Sequence, residues 1–287
     1  MLGASVLGIY EKAFPDAMSW QEKIALASHL EFDFIELSID ERDHRLERLW
    51  WDEGKIRSLK DVAEGSGVGV QSICLSGHRR YPFGSHDRKI RATAREMMER
   101  AFAFASVAGI PLIQLAGYDV YYEPSSEQSH LHFLAALEWA CGLAAEHQIL
   151  LALETMDTDY LSSVTKYRAI RAQIDTSWLS VYVDVGNLTA WAKDDVLCEL
   201  AVGGDEIAQI HLKETKTGAD GSLPVFRDVP FGTGCVDFPA IFNTLDGMGY
   251  TNPYTIEMWH NAEEDTRAQI EAAKRFIEEQ YRKGVGV

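Results

Sequence analysis

The sequence predicts an α/β protein of the (β/α)8 TIM-barrel class, a single domain over residues 1–287, on three observations. Eight short apolar runs of strand length alternate with longer segments of helical spacing, and no shift in composition marks a linker. The connections are helix-length and carry no hairpin turns, which argues for parallel strands joined by right-handed crossovers. The chain length is that of one closed barrel with little to spare. The competing architecture, a doubly wound open sheet, would carry a Gly-x-Gly-x-x-Gly turn after its first strand, and none stands there.

Taken in order, the strands are expected at residues 6–10, 34–38, 70–75, 112–116, 150–154, 180–184, 207–212 and 254–258. Each is long enough for a barrel strand and too short for a helix. The same punctuation recurs across residues 27–37, 105–115 and 144–154: a helix end, a polar or glycine-containing turn, then the apolar run. The clearest helix covers residues 91–108, where Ala94, Met97, Met98, Ala101, Phe104 and Ala105 form one stripe at i, i+3, i+4 spacing. Arg95, Glu96, Glu99 and Arg100 cover its other side, so the stripe is a packing face.

A hydrophobic fraction of 46% with 25% charged residues describes an ordinary globular chain able to bury a large core, which excludes a disordered or collagen-like protein. The 27 basic and 44 acidic side chains leave a formal charge of −17. That field repels polyphosphate backbones and anionic headgroups, so neither nucleic acid nor a membrane surface is an expected partner. A small anion can still be held by local positive charge within a cleft. Cys74, Cys141, Cys198 and Cys235 form no Cys-x-x-Cys pair and read as reduced structural thiols. No basic segment opens the chain and no apolar run approaches the ~18 residues that cross a bilayer, so a cytoplasmic location is expected.

In a barrel of this class the active site is built at the carboxyl ends of the strands. The fifth strand ends at Glu154, the sixth at Asp184, the seventh carries His211 near its end and the eighth carries Glu257. Singly, a strand-end glutamate reads as a loop ion-pair partner and a strand histidine as a satisfied core residue. Together, carboxylates behind Leu-Ala-Leu, Val-Tyr-Val and Tyr-Thr-Ile would each cost several kcal/mol if buried unpaired, and nearby cations are too few to neutralise them. A shared divalent metal ion removes that cost. One imidazole with three carboxylates suits Mn, Mg, Co or Zn.

The segments Leu-Glu154-Thr, Val-Asp184-Val-Gly-Asn, Ile-His211-Leu-Lys-Glu and Ile-Glu257-Met-Trp resemble those of the xylose-isomerase-like TIM barrels. More narrowly, the chain resembles the L-ribulose-5-phosphate 3-epimerase family, also called L-xylulose-5-phosphate 3-epimerase or hexulose-6-phosphate isomerase. That likeness runs from Leu7-Gly8-Ile9-Tyr10-Glu11-Lys12 through Phe34-Ile35-Glu36-Leu37-Ser38 to Pro230-Phe231-Gly232-Thr233-Gly234-Cys235-Val236-Asp237-Phe238. It implies epimerisation at C3 of a ketopentose 5-phosphate through a cis-enediolate. The ion would be held by Glu154, Asp184, His211 and Glu257, with Glu154 and Glu257 as the acid/base pair, and the enzyme would be a homodimer. One departure is visible: Gly232-Thr233-Gly234 stands where the family has Gly-Glu-Gly, which keeps the turn and removes a carboxylate.

The phosphate of such a substrate needs positive charge at the same rim. Ser76-Gly77-His78-Arg79-Arg80 follows the third strand directly, and Ser76, His78, Arg79 and Arg80 are its candidates; Gly77 frees backbone amides and the arginines supply forked donors. The loop reads equally as a solvated basic turn paired to the acidic surface. Lys213, two residues past His211 and so on the same side of a continuing strand, is a second candidate. Glu36, at the end of the second strand, is expected to contact sugar hydroxyls or to form a salt bridge. The aromatic residues of Tyr118-Asp119-Val120-Tyr121-Tyr122-Glu123 and Trp259-His260 could wall the sugar off from water. Two other enzymatic readings use the same metal chemistry, an aldose–ketose isomerase and an inosose-type dehydratase. A non-catalytic sugar-phosphate binding protein is the reading outside catalysis. A DNA-repair endonuclease of the same superfamily is disfavoured by the charge of −17 and by the lack of a histidine-rich set.

Overall fold

The computed structural model describes residues 2–192, 195–218 and 224–286. Eight strands close into one barrel in sequence order: β1 (Leu7–Tyr10), β2 (Phe34–Ser38), β3 (Gly69–Leu75), β4 (Leu112–Ala116), β5 (Leu150–Glu154), β6 (Leu179–Asp184), β7 (Ile207–Leu212) and β8 (Tyr254–Ile256). Every pairing is parallel, including β1 with β8. The (β/α)8 expectation is therefore met, with strand boundaries within one residue except at β8. That strand stops at Ile256, so Glu257 lies just past its end, where its amide still donates to Leu212 O at 2.9 Å.

The outer layer is formed by α1 (Trp20–His29), α2 (Asp43–Leu46), α3 (Glu53–Ser66), α4 (Arg88–Ala108), α5 (Glu127–His147), α6 (Val164–Arg171), α7 (Val185–Ala192), α8 (Val196–Gly203), α9 (Phe238–Gly247) and α10 (Thr266–Val285). Their starts are written in the sequence. Ser19 and Glu22 form a reciprocal capping box on α1, and the side chains of Asp52, Asp87, Ser163 and Asp265 accept the first free amides of α3, α4, α6 and α10. The stripe read from the sequence lies on α4, its six residues at most 1% exposed.

Two cores result from the period of two along each strand. Side chains such as Ile35, Leu37, Leu151 and Leu153 point outward into one large apolar layer beneath the helices. Those pointing inward form a much smaller apolar cluster of Leu112, Ala152 and Tyr182. Along β5 the inward positions are 150, 152 and 154, and along β6 they are 180, 182 and 184. The alternation that fills the barrel interior thus delivers Glu154 and Asp184 to its carboxyl-terminal mouth. A register shift between Val181 and Tyr182 sets Gln209 opposite Tyr182 and His211 opposite Asp184, so two candidate ligands stand side by side.

Candidate active site

Glu154, Asp184, His211 and Glu257 each offer one ligand atom, and the four atoms lie within 4.8 Å of one another in a buried cluster. Their supports come from the residues beside them. The Thr155 hydroxyl accepts from the Asp184 amide at 2.9 Å, and its carbonyl accepts from the Asn187 side chain at 2.9 Å, which ties the end of β5 to that of β6. The Asn187 amide donates to Asp184 Oδ1 at 2.9 Å, leaving Oδ2 turned to the cluster. Gln114 of β4 donates to Glu154 Oε2. Gly186 must be glycine for a steric reason: a Cβ there would stand 2.8 Å from the Lys213 carbonyl.

The cluster is short of positive charge. Burial raises Glu154 above the usual carboxylate range and lifts Asp184 to about 7. Burial acts the same way on Glu257, but the Lys213 ammonium and His211 outweigh it and hold that carboxyl down at about 2. For His211 burial disfavours the charged form, yet the carboxylates of Glu36 and Glu257 reverse the effect and push it well above the ordinary imidazole value. A single ammonium, Lys213, is shared by Asp184 Oδ2 and, at 3.2 Å, Glu257 Oε2. Carboxylate oxygens from three residues converging with an imidazole, with one ammonium shared between two of them, form a donor set that suits a divalent cation, so these four residues could hold a metal ion.

The loop after β3 divides the expected phosphate residues into two groups. Residues Ser76–Arg79 form one turn of 3-10 helix, in which positions i and i+3 eclipse. Ser76 and Arg79 accordingly face the same small cavity, of about 30 Å³, which Glu154, Asn187, Lys213 and Glu257 also line. The expectation for His78 is corrected: it turns into the core, within 3.1 Å of the Ala94 carbonyl and 4.5 Å ring to ring from Phe83, where burial lowers its pKa to about 4. Arg80 is corrected as well, since it points to solvent and pairs with Asp43 at 2.6 Å. Among the described residues Arg79 has one carboxylate within 4 Å, Glu41 at 3.9 Å, and its guanidinium lies 4.4 Å from the centre of the Tyr121 ring. Glu36 does not reach the cavity for sugar hydroxyls; it is fully buried and bonded to His211 Nε2 at 2.6 Å, which leaves the ion-pair half of its expectation.

Other cavity residues carried no signal of their own in the sequence. Lys12 follows β1 and pairs with Asp40 at 2.8 Å, and Arg227 comes from a loop without periodicity. Trp259 borders both this cavity and a crevice of about 540 Å³ that opens between the loops after β7 and β8, also lined by Lys213, Phe231 and Phe276. Asn187 was legible only as part of Val-Asp184-Val-Gly-Asn. Of the aromatic loop after β4, Tyr121 packs under Arg79, while the exposed Tyr122 hydroxyl donates to Glu41 at 3.0 Å.

The Gly-Thr-Gly turn is built around one carboxylate. Buried Glu214 accepts from the amides of Thr215 at 3.2 Å, Gly232 at 3.0 Å and Val236 at 3.1 Å, folding the 230–236 loop around one carboxylate. A Cβ at Gly234 would run into the Thr215 carbonyl and the Glu214 carboxylate. Thr233 sits at the exposed apex, its hydroxyl closing the turn onto Pro230 O at 2.8 Å.

Residues 24–280 match the family model of the xylose isomerase-like TIM barrels. The Escherichia coli K12 protein SgbU is 47% identical over 272 residues, 95% of each chain. The L-ribulose-5-phosphate 3-epimerase UlaE of the same strain is 43% identical over 271 residues, 94% of this chain and 93% of its own. The chain belongs to the L-ribulose-5-phosphate 3-epimerase family of the xylose isomerase-like barrels. It is accordingly an epimerase, an enzyme of the isomerase class. Among solved structures, D-psicose 3-epimerase from Clostridium cellulolyticum H10 superposes with a TM-score of 0.79 at 15% identity, over 96% of this chain and 99% of that one. An L-ribulose 3-epimerase superposes with a TM-score of 0.77 at 18% identity, over 98% and 95%. At such identities the likeness speaks for the fold. No helix among the described residues is long and apolar enough to cross a membrane.

Proposed function

We propose that this epimerase inverts C3 of a ketopentose 5-phosphate, interconverting L-ribulose 5-phosphate and L-xylulose 5-phosphate, with a divalent ion (Mn, Mg, Co or Zn) held by Glu154, Asp184, His211 and Glu257. The reading is carried by the convergence of those four ligand atoms, three of them from carboxylates, on one buried point. The ion, when bound, supplies charge against the cis-enediolate that forms as C3 loses its proton. The protein's own groups do the rest. Inversion needs one group to take the proton and another to return it on the opposite face. Glu154 reaches the site from β5 and Glu257 from just beyond β8, the two ends of a four-strand arc, and these are the acid/base pair. Gln114 orients Glu154, and Lys213 holds Glu257 ionised.

For the phosphate we assign Arg79 with Ser76, because the 3-10 turn aims both at the cavity and Arg79 is not committed to a close ion pair. Lys213 sits deeper, bonded to Asn187 Oδ1 at 2.8 Å, and suits a sugar oxygen near the ion. The relatives' names favour the phosphorylated pentose. The same reading makes the working enzyme a single-domain, cytoplasmic homodimer. Incubation with L-ribulose 5-phosphate in deuterated water should place deuterium at C3 and yield the C3 epimer. Chelation should stop turnover and metal addition restore it. Absence of C3 exchange with every ketopentose 5-phosphate tried would overturn the proposal.

A further inference from the structure

Directly beneath the ligands, five buried side chains from five strands close a ring of polar contacts. Glu36 of β2 accepts at Oε2 from the hydroxyls of Ser72 of β3 at 2.7 Å and Tyr182 of β6 at 2.8 Å. Gln209 of β7 donates from Nε2 to Thr255 of β8 at 2.7 Å and to Ser72 at 3.3 Å, and the hydroxyls of Thr255 and Tyr182 are 3.3 Å apart. All five residues are at most 2% exposed. Tyr182 has one proton and the Glu36 carboxylate is its nearer acceptor, so the two protons of the Gln209 amide start two donor chains. One passes through Ser72, the other through Thr255 and Tyr182, and both end on Glu36. Such a network, satisfied at each member, fixes the carboxylate in one orientation.

One oxygen of that carboxylate is not used within the ring. Glu36 Oε1 accepts from His211 Nε2 at 2.6 Å, and the imidazole also packs 4.5 Å, centre to centre, from the Tyr182 ring. The other nitrogen, Nδ1, is thereby turned to the cluster, 2.9 Å from Glu154 Oε1 and 3.7 Å from Glu257 Oε2. Metal-binding histidines are generally held by a carboxylate or carbonyl on the far nitrogen, which sets the tautomer and the ring orientation.

We propose that Glu36 is a positioning residue: the five-strand ring holds its carboxylate on Nε2 of His211, so that Nδ1 is the nitrogen presented to the ion. This rests on the metal reading of the site above, and it gives a fully buried acid a role that does not touch substrate.

The test is calorimetric titration of metal-free protein with Mn²⁺, with the imidazole nitrogen shifts of His211 read by NMR in the Zn²⁺-loaded form. Wild type should show Nδ1 as the metal-bound nitrogen and Nε2 as protonated. Glu36→Leu should bind Mn²⁺ about 10- to 100-fold more weakly and lose that single signature. Glu36→Gln should fall between wild type and Glu36→Leu, because its amide nitrogen meets either the hydroxyl donors of the ring or Nε2–H. Wild-type affinity in Glu36→Leu, or the wild-type imidazole nitrogen shifts retained in it, overturns the proposal. If Glu36→Leu does not fold, Tyr182→Phe and Ser72→Ala decide, since each removes one donor to Glu36: weaker Mn²⁺ binding is expected in both, and wild-type affinity with unchanged shifts in both overturns the proposal. Wild-type protein that binds no Mn²⁺ removes the metal reading itself and this proposal with it, an outcome distinct from a failure confined to the variants.

Discussion

Two buried charge clusters sit at the same end of the barrel, and they are composed in opposite ways. At the end of β1, fully buried Glu11 is surrounded by cations: Lys23 at 2.7 Å, Arg45 at 2.9 Å and Arg48 at 2.5 Å, with the Ser38 amide at 2.9 Å. Asp16 and Asp40 answer the outer guanidinium and ammonium groups. Across the mouth, Glu36, Glu154, Asp184 and Glu257 have only His211 and Lys213 within 4 Å as potential cations among the described residues. Burial is equal, so burial does not separate them. The first cluster is completed by the protein's own cations and serves the fold, whereas the second is left with more carboxylates than cations and could hold a metal ion. A buried carboxylate matched by its own cations marks architecture, and buried carboxylates that outnumber their cations mark a candidate site.

That contrast can be broken by substitution, beginning where the effect is greatest. Glu154→Gln or Glu257→Gln should lower kcat by about 10³-fold or more; the metal-free Glu154→Gln protein should melt at or above the wild-type temperature, since burial disfavours that charge, and Glu257→Gln should melt lower, since Lys213 and His211 lose a partner. Near-normal turnover in either variant would remove it from the acid/base pair. Glu11→Gln should do the reverse, costing about 3–5 kcal/mol of stability by denaturant titration through the unpaired cations it leaves, with kcat close to wild type in the folded enzyme. Arg79→Ala should raise KM for the phosphorylated ketose about 10- to 100-fold, as loss of a charge-assisted contact does, and leave an unphosphorylated ketose unaffected. Arg80→Ala should change neither, because its pair is exposed.

The smallest effect is one of pH. Burial opposes ionisation of Glu11, but Arg48, Lys23 and Arg45 outweigh it and hold its carboxyl far below the usual range. In the unfolded chain the same group titrates near about 4.3. Its contribution to stability is therefore complete above that value and is lost as pH falls below it towards the folded value. Between about pH 5 and 3 the urea midpoint of wild type should fall more steeply than that of Glu11→Gln; parallel curves would show that other carboxylates govern acid unfolding.

The sequence made the barrel legible because its signal is local: each apolar run and each cap announces itself within a few residues. The four candidate ligands were legible for a related reason, since a period of two along a known strand dictates which residues reach the mouth. Side chains past the strand ends obey no such rule. His78 and Arg80 stand beside Arg79 in sequence, yet the 3-10 turn sends one to the core and the other to solvent. Glu36 looked like a rim residue because it is near the end of β2. Its place below the ligands depends on Ser72 and Tyr182, 36 and 146 residues away.

The segment His211-Leu-Lys-Glu214 closes β7 with one side chain on the candidate ion, one in its alkyl-lined outer wall, one ammonium on two of the other ligands, and one carboxylate that folds the 230–236 loop. Inserting or deleting one residue there would exchange faces for everything that follows. For anyone grafting this chemistry onto another barrel, the tetrapeptide is a cassette: it transplants whole, in phase with its strand and together with Gly232 and Gly234, or not at all.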